Sequence, residues 1–396
     1  MARGNSLVGR ALELVHTGRV RVRAELTAAL GTTRTTAGAV LAELAGLGLV
    51  RVDSSPGAPG DAPGRPSHRI APAPGGPVAL AAQVHVDGYQ VALVGLGGEV
   101  AARRTRALVV PAEPELVVRA AVREGVRLLR RSGRACVGAG LAVPSAVAEP
   151  DGTALNPLHV AWSAGVPVRA IMAAETARAG LPGGADVAND INLGALAEHR
   201  HGAGRGAAHL LVVATGRRGV GGALVVDGAL YRGGAGLAME VGHLTVNPSG
   251  RPCHCGGRGC LDVEADPLAL LAAAGRSPEG SGSPLDRAVA LLPERAGDPR
   301  VRAAVDGAVD LLGVGLAGLV NVLNPDRVVL GGLHGHLLAA EPERLAAAVA
   351  AFGLWGRSGA VPLRRAELRD WSLVGAAERA WQRALDDALR VFGAGG

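Results

Sequence analysis

The sequence has 396 residues and lacks lysine entirely, while aromatic residues make up 2% of it and cysteine occurs four times. With no lysine, every fixed positive charge on a side chain is an arginine. Four cysteines cannot hold a chain of this length together, which excludes a disulfide-dense secreted fold. Charged residues account for 19% and hydrophobic residues for 48%, a composition that excludes a disordered chain and suits two or three packed domains.

Long apolar runs are also scarce. The longest, Leu311–Val322, is interrupted by Asn321, and we predict a core helix there rather than a membrane span. The first residues, Met1–Ser6, lack the apolar run of a signal peptide. We therefore expect a cytoplasmic protein without a membrane partner.

The positive charge is concentrated near the amino terminus. Residues 1–77 contain nine arginines and five acidic residues, so this segment carries +4 of the net +6. The longer remainder of the chain is nearly balanced. This distribution is typical of a protein whose amino-terminal end binds a polyanion such as DNA.

The same segment has the pattern of a winged helix-turn-helix. Three short amphipathic helices are predicted, with Gly31 forming the tight turn between the second and the third. Two short strands, Leu49–Val52 and Ser67–Ile70, then flank a tip rich in proline and glycine, which predicts a wing. The linker that follows ends near Pro77, so we assign residues 1–77 to a DNA-binding domain with its linker.

In a helix-turn-helix, the first residues of the third helix face base edges in the major groove. Here the outward residues are Arg34, Thr35, Gly38 and Ala39. Arg34 can read guanine or bind a phosphate, and Thr33, Thr35 and Thr36 offer hydroxyls to phosphates or bases. Arg65, in the wing, is a candidate for the minor groove, although an ordinary linker arginine explains it nearly as well. The alternative for the whole segment is a helical dimerisation or docking domain in which the threonines only cap the helix.

From residue 78 onward, predicted strands and helices alternate in two successive series, one to about residue 190 and one over about 191–396. This pattern predicts an α/β body of two lobes, with a small-molecule site in the cleft between them. In the second series we predict a strand at Ala223–Val226 that follows a glycine-rich loop.

Three of the four cysteines crowd into a short segment that follows His243. Cys253, Cys255 and Cys260 together with His243 offer three thiolates and one imidazole, which satisfies the tetrahedral preference of zinc and leaves no open position. We therefore predict a structural zinc site. His254 is the alternative fourth ligand, although a side chain between two ligands points away from their shared face. A cysteine cluster without metal is the other alternative.

Two further acidic positions carry candidate chemistry. Asn189-Asp190 lies at a predicted strand-to-helix turn, where Asp190 can accept a proton from a substrate hydroxyl while Asn189 donates to a neighbouring oxygen. An Asn-Asp pair can equally be a helix cap and nothing more. Glu240 lies three residues before His243, so the zinc loop would carry it into the same cleft.

Taken together, these motifs resemble the ROK family of repressors, open reading frames and sugar kinases. The resemblance covers nearly the whole chain. It rests on the winged helix, Gly64-Arg65-Pro66, Val187-Ala188-Asn189-Asp190, Asp227-Gly228 with Tyr231-Arg232-Gly233, Glu240-Val241-Gly242-His243 and the cysteine cluster. It implies a two-lobed, actin/hexokinase-like (ribonuclease H-like) body of the ATPase type that binds a sugar.

The resemblance also implies roles for single residues. Asn189, Asp190, Glu240 and His243 would contact sugar hydroxyls, and Asp190 would be the catalytic base in the kinases. Asp262 stands where the family usually has glutamate after the last cysteine, so it keeps the charge with a shorter reach.

The chain departs from the family's kinases on the phosphate side. Their first strand ends in Asp-x-Gly-Gly-Thr, and in the register set by Gly98 the segment Gln83–Asp87 retains none of it. Their second phosphate loop, Gly-Thr-Gly-Ile-Gly, is Arg217-Arg218-Gly219-Val220-Gly221 here. Backbone N–H groups cradle phosphates only where bulky side chains stay clear. The two guanidiniums could instead bind an anion, but phosphoryl transfer needs exact positioning and bridging metal ions, so we do not expect ATP and Mg²⁺ as cofactors.

We therefore predict a sugar-responsive, DNA-binding transcriptional regulator, a repressor, with a degenerate sugar-kinase body. Its expected partners are operator DNA, a sugar or sugar-phosphate effector, and further copies of itself in a homodimer or homotetramer. One alternative is an active ATP-dependent sugar kinase with a DNA-binding arm, using Asp190 as its base. Another is a zinc-stabilised structural protein without a ligand, which leaves Asn189, Asp190 and Glu240 unexplained.

Overall fold

A computed structural model describes residues 6–53, 68–108, 113–148, 151–155, 157, 160, 162–217, 219–354 and 361–393. The chain divides into two compact units. Unit one comprises Met1–Ala142, Pro167–Val187 and Leu373–Gly396, and unit two comprises Val143–Val166 and Ala188–Ser372. Each unit is built around its own mixed β-sheet.

Unit one begins with three helices and a small antiparallel sheet. These elements are α1 (Leu7–His16), α2 (Arg23–Leu30), α3 (Arg34–Gly46), β1 (Val50–Asp53) and β2 (Arg69–Pro72). Gly31 takes a φ of 61°, which ends α2 and turns the chain towards α3. Leu12, Leu26 and Leu44, one from each helix, are fully buried and form the centre of this small core. The element order is that of a winged helix-turn-helix, and Ser67, the predicted start of the second wing strand, lies outside the described residues.

In the rest of unit one, helix α4 packs on the larger sheet and helix α5 packs on α4. The elements are β3 (Val78–His85), β4 (Gly88–Gly95), β5 (Val100–Ala107), α4 (Pro114–Ser132), β6 (Cys136–Val143), α5 (Val168–Arg178) and β9 (Ala185–Asn189), and the short strands β7 (Val147–Ala148) and β8 (Thr153–Ala154) pair separately. The strand order is β5-β4-β3-β6-β9, with an antiparallel meander of β3, β4 and β5 and with β6 parallel to β3.

The chain returns to unit one at its carboxyl end, through α13 (Trp371–Asp386) and α14 (Ala388–Phe392). Gly140 of β6 lets the backbone of α13 come close, because a Cβ at Gly140 would lie 2.0 Å from the Ala376 carbonyl oxygen. Trp381 is fully buried, and its indole nitrogen donates a hydrogen bond to the Val94 carbonyl at 3.1 Å. The last long helix is therefore part of the core of unit one.

Unit two repeats the strand order of unit one. Its strands are β10 (His209–Thr215), β11 (Val220–Val226), β12 (Ala229–Leu230), β13 (Arg327–Gly331) and β14 (Leu363–Arg365), arranged β12-β11-β10-β13-β14. The strand predicted from Ala223 starts earlier, at Val220. Gly221 and Gly222 belong to it because they pair with Ala214 and Val213 of β10. A Cβ at these positions would lie 2.8 Å from an Ile191 and 2.6 Å from a Val241 side-chain atom. These glycines serve close packing, so the predicted loop is shorter than expected.

The helices of unit two surround this sheet. They are α6 (Asp190–His201), α7 (Leu261–Glu264), α8 (Pro267–Ala273), α9 (Pro284–Leu291), α10 (Pro299–Leu323), α11 (Gly332–Ala340) and α12 (Pro342–Phe352). By length and composition α10 could cross a membrane, but 61% of its most apolar window is buried. Val305, Leu312 and Leu316 of α10 lie in the core with Leu211 of β10 and Val328 of β13. It is the core helix that the sequence predicts.

Candidate functional site

The first candidate residues lie where β9 ends and α6 begins. Asn189 is the N-cap of α6, and its Oδ1 accepts hydrogen bonds from the Ile191 and Asn192 N–H groups at 2.9 and 3.1 Å. Its amide nitrogen donates to the Ser145 carbonyl at 3.2 Å. The half-buried Asp190 accepts a bond from the Ile191 N–H at 2.9 Å. Asn189 therefore does act as a helix cap, and the cap sets Asp190 at the first turn of the helix.

A strained turn positions Glu240. Met239 has a φ of 73°, a conformation that residues other than glycine rarely adopt. A single 3₁₀ turn, Val241–His243, begins directly after Glu240. Glu240 is an exposed residue, but the surrounding protein partly desolvates its carboxyl group and so raises its pKa. The nearby His243 lowers this pKa, whereas the negative charge of Asp262 raises it further. The three side chains thus share one electrostatic environment.

The four predicted metal ligands form one cluster. The ligand atoms of His243, Cys253, Cys255 and Cys260 all lie within 4.8 Å of one another. Cys253 Sγ is 3.8 Å from His243 Nδ1, and Cys255 Sγ is 3.7 Å from Cys260 Sγ. In a tetrahedral site with zinc–sulfur bonds of about 2.3 Å, the sulfur atoms lie about 3.8 Å apart. The cluster can therefore hold a metal ion, and its dimensions fit zinc.

Two of the three thiols of this cluster, Cys253 and Cys260, resist ionisation. Burial raises the pKa of Cys260 to about 12, and the adjacent Cys255 and Cys253 add to the shift. Burial also raises the pKa of Cys253, whereas a backbone hydrogen bond from Gly257 lowers that of Cys255. Thiolates are the metal-binding form of cysteine, and a divalent cation supplies the charge that stabilises three of them together.

Asp262 follows the cluster in the first turn of α7 and is only 3% exposed. Its Oδ1 accepts a hydrogen bond from the Val220 N–H at 2.5 Å, and its Oδ2 lies 3.1 Å from His254 Nε2. Cys253, His254 and Asp262 form a second group that could hold an ion, but it offers three ligands instead of four. His243 completes the larger set, while His254, the alternative ligand, is engaged with Asp262.

All five residues predicted to contact a sugar line one cavity of unit two, with a volume of about 90 Å³. Its lining consists of Pro144, Ser145, Ala146, Asn189, Asp190, Ile191, Gly216, Gly219, Val220, Gly221, Glu240, His243 and Asp262. Among these described residues there are three carboxylates, one amide and one imidazole, but no arginine. Hydroxyl groups, which both donate and accept hydrogen bonds, are the ligand groups that match such a lining.

Asp266 is a further buried acidic residue near the site that the sequence pattern does not predict. This residue is 5% exposed and is the N-cap of α8, where its Oδ1 accepts a hydrogen bond from the Ala269 N–H at 2.7 Å. Burial raises its pKa to about 6, although the N–H groups of Ala269 and Gly219 bond to the carboxylate. Asp266-Pro267 is a local signal for a helix start. Its burial beside the β10–β11 loop depends on tertiary packing, which no local pattern reveals.

The predicted DNA-contacting residues lie at the start of α3. The Thr33 hydroxyl accepts a hydrogen bond from the Thr36 N–H at 3.2 Å and lies 2.9 Å from the Thr36 hydroxyl. Thr33, Arg34 and Thr35 are exposed, whereas Thr36 is half-buried. Arg65 lies outside the described residues. Thr33 thus caps the helix through the Thr36 N–H, and Arg34 and Thr35 are the exposed side chains beside this cap.

Comparison with known sequences finds relatives of two kinds. The ROK family model matches residues 83–380. A xylose repressor from Caldicellulosiruptor bescii is 30% identical over 222 residues, which are 53% of this chain and 53% of the repressor. A glucokinase from Halalkalibacterium halodurans is 33% identical over 211 residues, which are 50% of this chain and 61% of the kinase. The chain thus spans little more than half the length of these curated relatives.

Comparison with solved structures supports the fold. A ROK family transcriptional regulator, a homolog of the E. coli MLC protein, matches with a TM-score of 0.73 at 21% identity, covering 98% of each chain. At this identity the likeness shows the fold alone. The predicted fold class, a winged helix-turn-helix joined to an actin/hexokinase-like body, is confirmed.

Proposed function

Because the chain belongs to the ROK family, we propose that it is a sugar-responsive, DNA-binding transcriptional regulator, a repressor, with a degenerate sugar-kinase body. One observation carries this proposal: Asn189, Asp190, Glu240, His243 and Asp262, which are distant in sequence, line one cavity. The chain also carries the winged helix-turn-helix elements that a DNA reader needs. Similarity to both a xylose repressor and a glucokinase agrees with a sugar ligand.

The cavity would bind a sugar through its hydroxyl groups. The carboxylates of Asp190, Glu240 and Asp262 accept hydrogen bonds from hydroxyls, and a bond to an ionised acceptor is stronger than one between neutral groups. Asn189 keeps a second amide proton, besides the one given to Ser145, that can be donated to a sugar oxygen. His243 faces Cys253 with Nδ1, so its Nε2 is the ring nitrogen that remains for a ligand.

We assign zinc to the cluster of His243, Cys253, Cys255 and Cys260. The ion would supply positive charge that stabilises the thiolates and fixes the loop. Four protein ligands leave no open position, so its role would be structural. Ligation through Nδ1 would also fix the ring of His243, so the metal and the sugar would act on the same side chain.

The DNA interface would be the start of α3. Arg34 and Thr35 would reach base edges or phosphates, Thr33 and Thr36 would offer hydroxyls, and Arg65 remains a predicted wing contact. In this proposal, residues 1–77 form the DNA-binding domain with its linker, and residues 78–396 form the body. The protein would be a cytoplasmic homodimer or homotetramer. A symmetric dimer would bind half-sites about one helical turn apart, or a multiple of it. The sugar would act by binding one conformation more tightly than the other.

A mobility-shift assay on the DNA upstream of the protein's own gene tests this function. We expect retardation at low salt, steep loss of affinity as salt rises, and release of the DNA by one or more sugars. Arg34→Ala should weaken binding, while Arg369→Ala, at an exposed arginine of unit two, is the matched control. Absence of retardation at low salt would contradict the proposal.

The second candidate is an active ATP-dependent sugar kinase with a DNA-binding arm. The similarity to a glucokinase and the retention of Asp190, the candidate base, favour it. A coupled ADP-release assay over a sugar panel separates the two functions. Turnover that Asp190→Asn abolishes would establish the kinase, and the regulator predicts none.

A further inference from the structure

The positive charge of the body is concentrated in one segment. Residues 78–396 together carry a net charge of +2. Within them, residues 99–134, which include β5 and α4, contain nine arginines and four acidic residues and so carry a net charge of +5. The rest of the body is therefore slightly acidic, and this segment is a second basic region of the chain.

Four arginines follow one exposed side of α4. Arg127 lies four positions after Arg123 and three or four positions before Arg130 and Arg131, a spacing that puts all four on one side of a helix. All four are exposed. The opposite side of α4 is apolar and packs on the sheet, where it buries Val118, Ala121, Val122, Gly125 and Leu129. The charged side therefore faces solvent.

Strand β5 extends this charged side of α4. It is an edge strand of its sheet, and its Arg104 and Arg106 are both exposed. Residues two apart in a strand point to the same face, so these two arginines are neighbours. Arg106 Nη2 lies 3.0 Å from Glu124 Oε1, and Arg127 Nη1 lies 3.0 Å from Glu124 Oε2, so one carboxylate joins strand and helix. We define the α4–β5 basic surface as Arg104, Arg106, Arg123, Arg127, Arg130 and Arg131.

Little negative charge balances the α4–β5 basic surface. Among the residues that the structure describes, Glu124 is the one acidic residue that pairs with it, and Glu124 is only 5% exposed. By contrast, Arg119, one turn before Arg123, pairs with Glu175 of α5 at 3.1 Å. Most of the positive charge on the surface is therefore left to solvent or to a partner.

Structural roles of arginine account for part of this surface. Positive charge near the carboxyl end of a helix is favourable, which explains Arg130 and Arg131 in the last turn of α4 but not Arg123 and Arg127 further in. Charged residues on an edge strand hinder pairing with other strands, which explains the arginines of β5. Like charges three or four positions apart destabilise a helix. A polyanion that lies along the surface would offset this repulsion.

The elements that carry this surface adjoin the DNA-binding helices within unit one. Just after α4, Arg134 Nε donates a hydrogen bond to the Gly76 carbonyl at 2.5 Å. A Cβ at Gly76 would lie 3.0 Å from the carbonyl oxygen of Gly48, in the turn between α3 and β1. In the turn before β5, the Gly97 N–H donates to His16 Nδ1 at the end of α1. The carboxyl end of α4 and the start of β5 therefore both lie beside the winged helix-turn-helix.

Duplex DNA is long enough to reach from the start of α3 to this part of the body. Helix α3 has 13 residues, so its carboxyl end lies about 20 Å from its first residues. One turn of duplex DNA is about 34 Å long. DNA bound at the start of α3 therefore extends beyond this helix within a single turn, and its phosphates carry the negative charge that the α4–β5 basic surface lacks.

We propose that the α4–β5 basic surface binds the phosphate backbone of DNA that flanks the operator. The inference rests on the proposed function and adds a contact by the body to the contacts made by α3. Arginine–phosphate contacts position a protein on DNA without reading its bases. This contact raises the affinity for long DNA without changing which operator is recognised.

The test is fluorescence anisotropy of the full-length protein with two labelled DNA fragments over a range of salt concentrations. One is a long fragment from upstream of the gene. The other is trimmed from both ends to the shortest length at which Arg34→Ala weakens binding. The variant combines Arg123→Gln, Arg130→Gln and Arg131→Gln, because glutamine is also a good helix former.

On the long fragment, the triple variant should bind at least about tenfold more weakly at about 0.1 M salt. The slope of log affinity against log salt concentration should become less steep by about 2–3, because each lost phosphate contact contributes about 0.9. On the trimmed fragment, the variant and the original protein should bind equally, since the flanking phosphates are gone.

The matched control removes three arginines from another surface. Arg205→Gln, Arg364→Gln and Arg369→Gln together change the net charge by the same amount at exposed positions of unit two. This control should keep the affinity and the salt slope of the original protein. If the first triple variant does not fold, the original protein alone decides, because trimming the flanking DNA should by itself lower its affinity about tenfold or more.

The outcomes are separable. Equal binding of the original protein to the long and trimmed fragments would overturn the inference. Equal affinity and slope for the original protein and the first triple variant, or equal losses in both triple variants, would do the same. In each of these cases, binding to the trimmed fragment would leave the proposed regulator intact. Failure of the original protein to bind any upstream fragment would contradict the proposed function itself.

Discussion

Replacing His16 by alanine tests how the first helix is held in unit one. His16 ends α1 and is 1% exposed. The Gly97 N–H donates to His16 Nδ1 at 3.0 Å, so the proton of the neutral ring must be on Nε2. That nitrogen lies 2.9 Å from both carboxylate oxygens of Glu378 in α13. One imidazole therefore joins the amino-terminal helix to the turn after β4 and to the last long helix.

The expected cost follows from these contacts. His16→Ala removes a hydrogen bond to a buried carboxylate and the acceptor of the Gly97 N–H, and each lost partner of a buried polar group costs about 1–3 kcal/mol. We expect the free energy of unfolding to fall by about 3 kcal/mol. For a cooperative unit of 150–250 residues this lowers Tm by about 6–12 °C. His209→Ala, at an exposed histidine in unit two, is the control and should change the stability by less than about 0.5 kcal/mol.

The assay is urea unfolding of the full chain followed by far-ultraviolet circular dichroism. His16→Gln, Glu378→Gln and the double variant complete a thermodynamic cycle, and two groups in direct contact should show a coupling energy of about 1–3 kcal/mol. Additive effects in the cycle, or equal losses for His16→Ala and His209→Ala, would refute the reasoning.

Three further predictions concern unit two. Cys255→Ser should lower the zinc content, which elemental analysis should give as about one ion per chain in the original protein. It should also weaken sugar binding, because His243 loses its fixed orientation. Full zinc content in the variant would contradict the ligand assignment. Asp190→Asn should weaken sugar binding by about 10–100-fold in calorimetry, with Asp310→Asn as the control. Unchanged affinity would show that Asp190 does not contact the sugar. Burial raises the pKa of Asp266 to about 6 from 3.8, so the folded state binds its proton more tightly than the unfolded state. This contribution is favourable at low pH, and stability should fall by about 2 kcal/mol as pH rises from 4 to 7. Asp266→Asn should remove that part of the slope in unfolding curves measured across this range, and an unchanged slope would contradict it.

Local sequence signals locate the elements whose ends are marked. The helix Pro299–Leu323 is predicted with the bounds that the structure has, because Asp298 caps it, Pro299 suits its first turn, and Asn324 ends it with a φ of 42°. The strand Cys136–Val143 is likewise predicted in full from its continuous apolar run.

Other features depend on packing between distant segments. The start of β11 at Val220 is obscured because Gly221 and Gly222, which usually indicate a loop, are used here for close contact with Ile191 and Val241. For the site, spacing identifies the four cluster residues. It cannot show that Asp262 and Asp266 bond to the β10–β11 loop, because that contact joins residues more than forty positions apart.

The most direct measurement is fluorescence anisotropy of a labelled upstream DNA fragment bound to the full-length protein, titrated with neutral sugars. A repressor that responds to a sugar bound at Asp190 predicts a saturable fall in anisotropy with at least one sugar, and no fall at the same concentration with Asp190→Asn. Anisotropy that stays constant across the whole panel, or falls equally in the variant, would contradict the account.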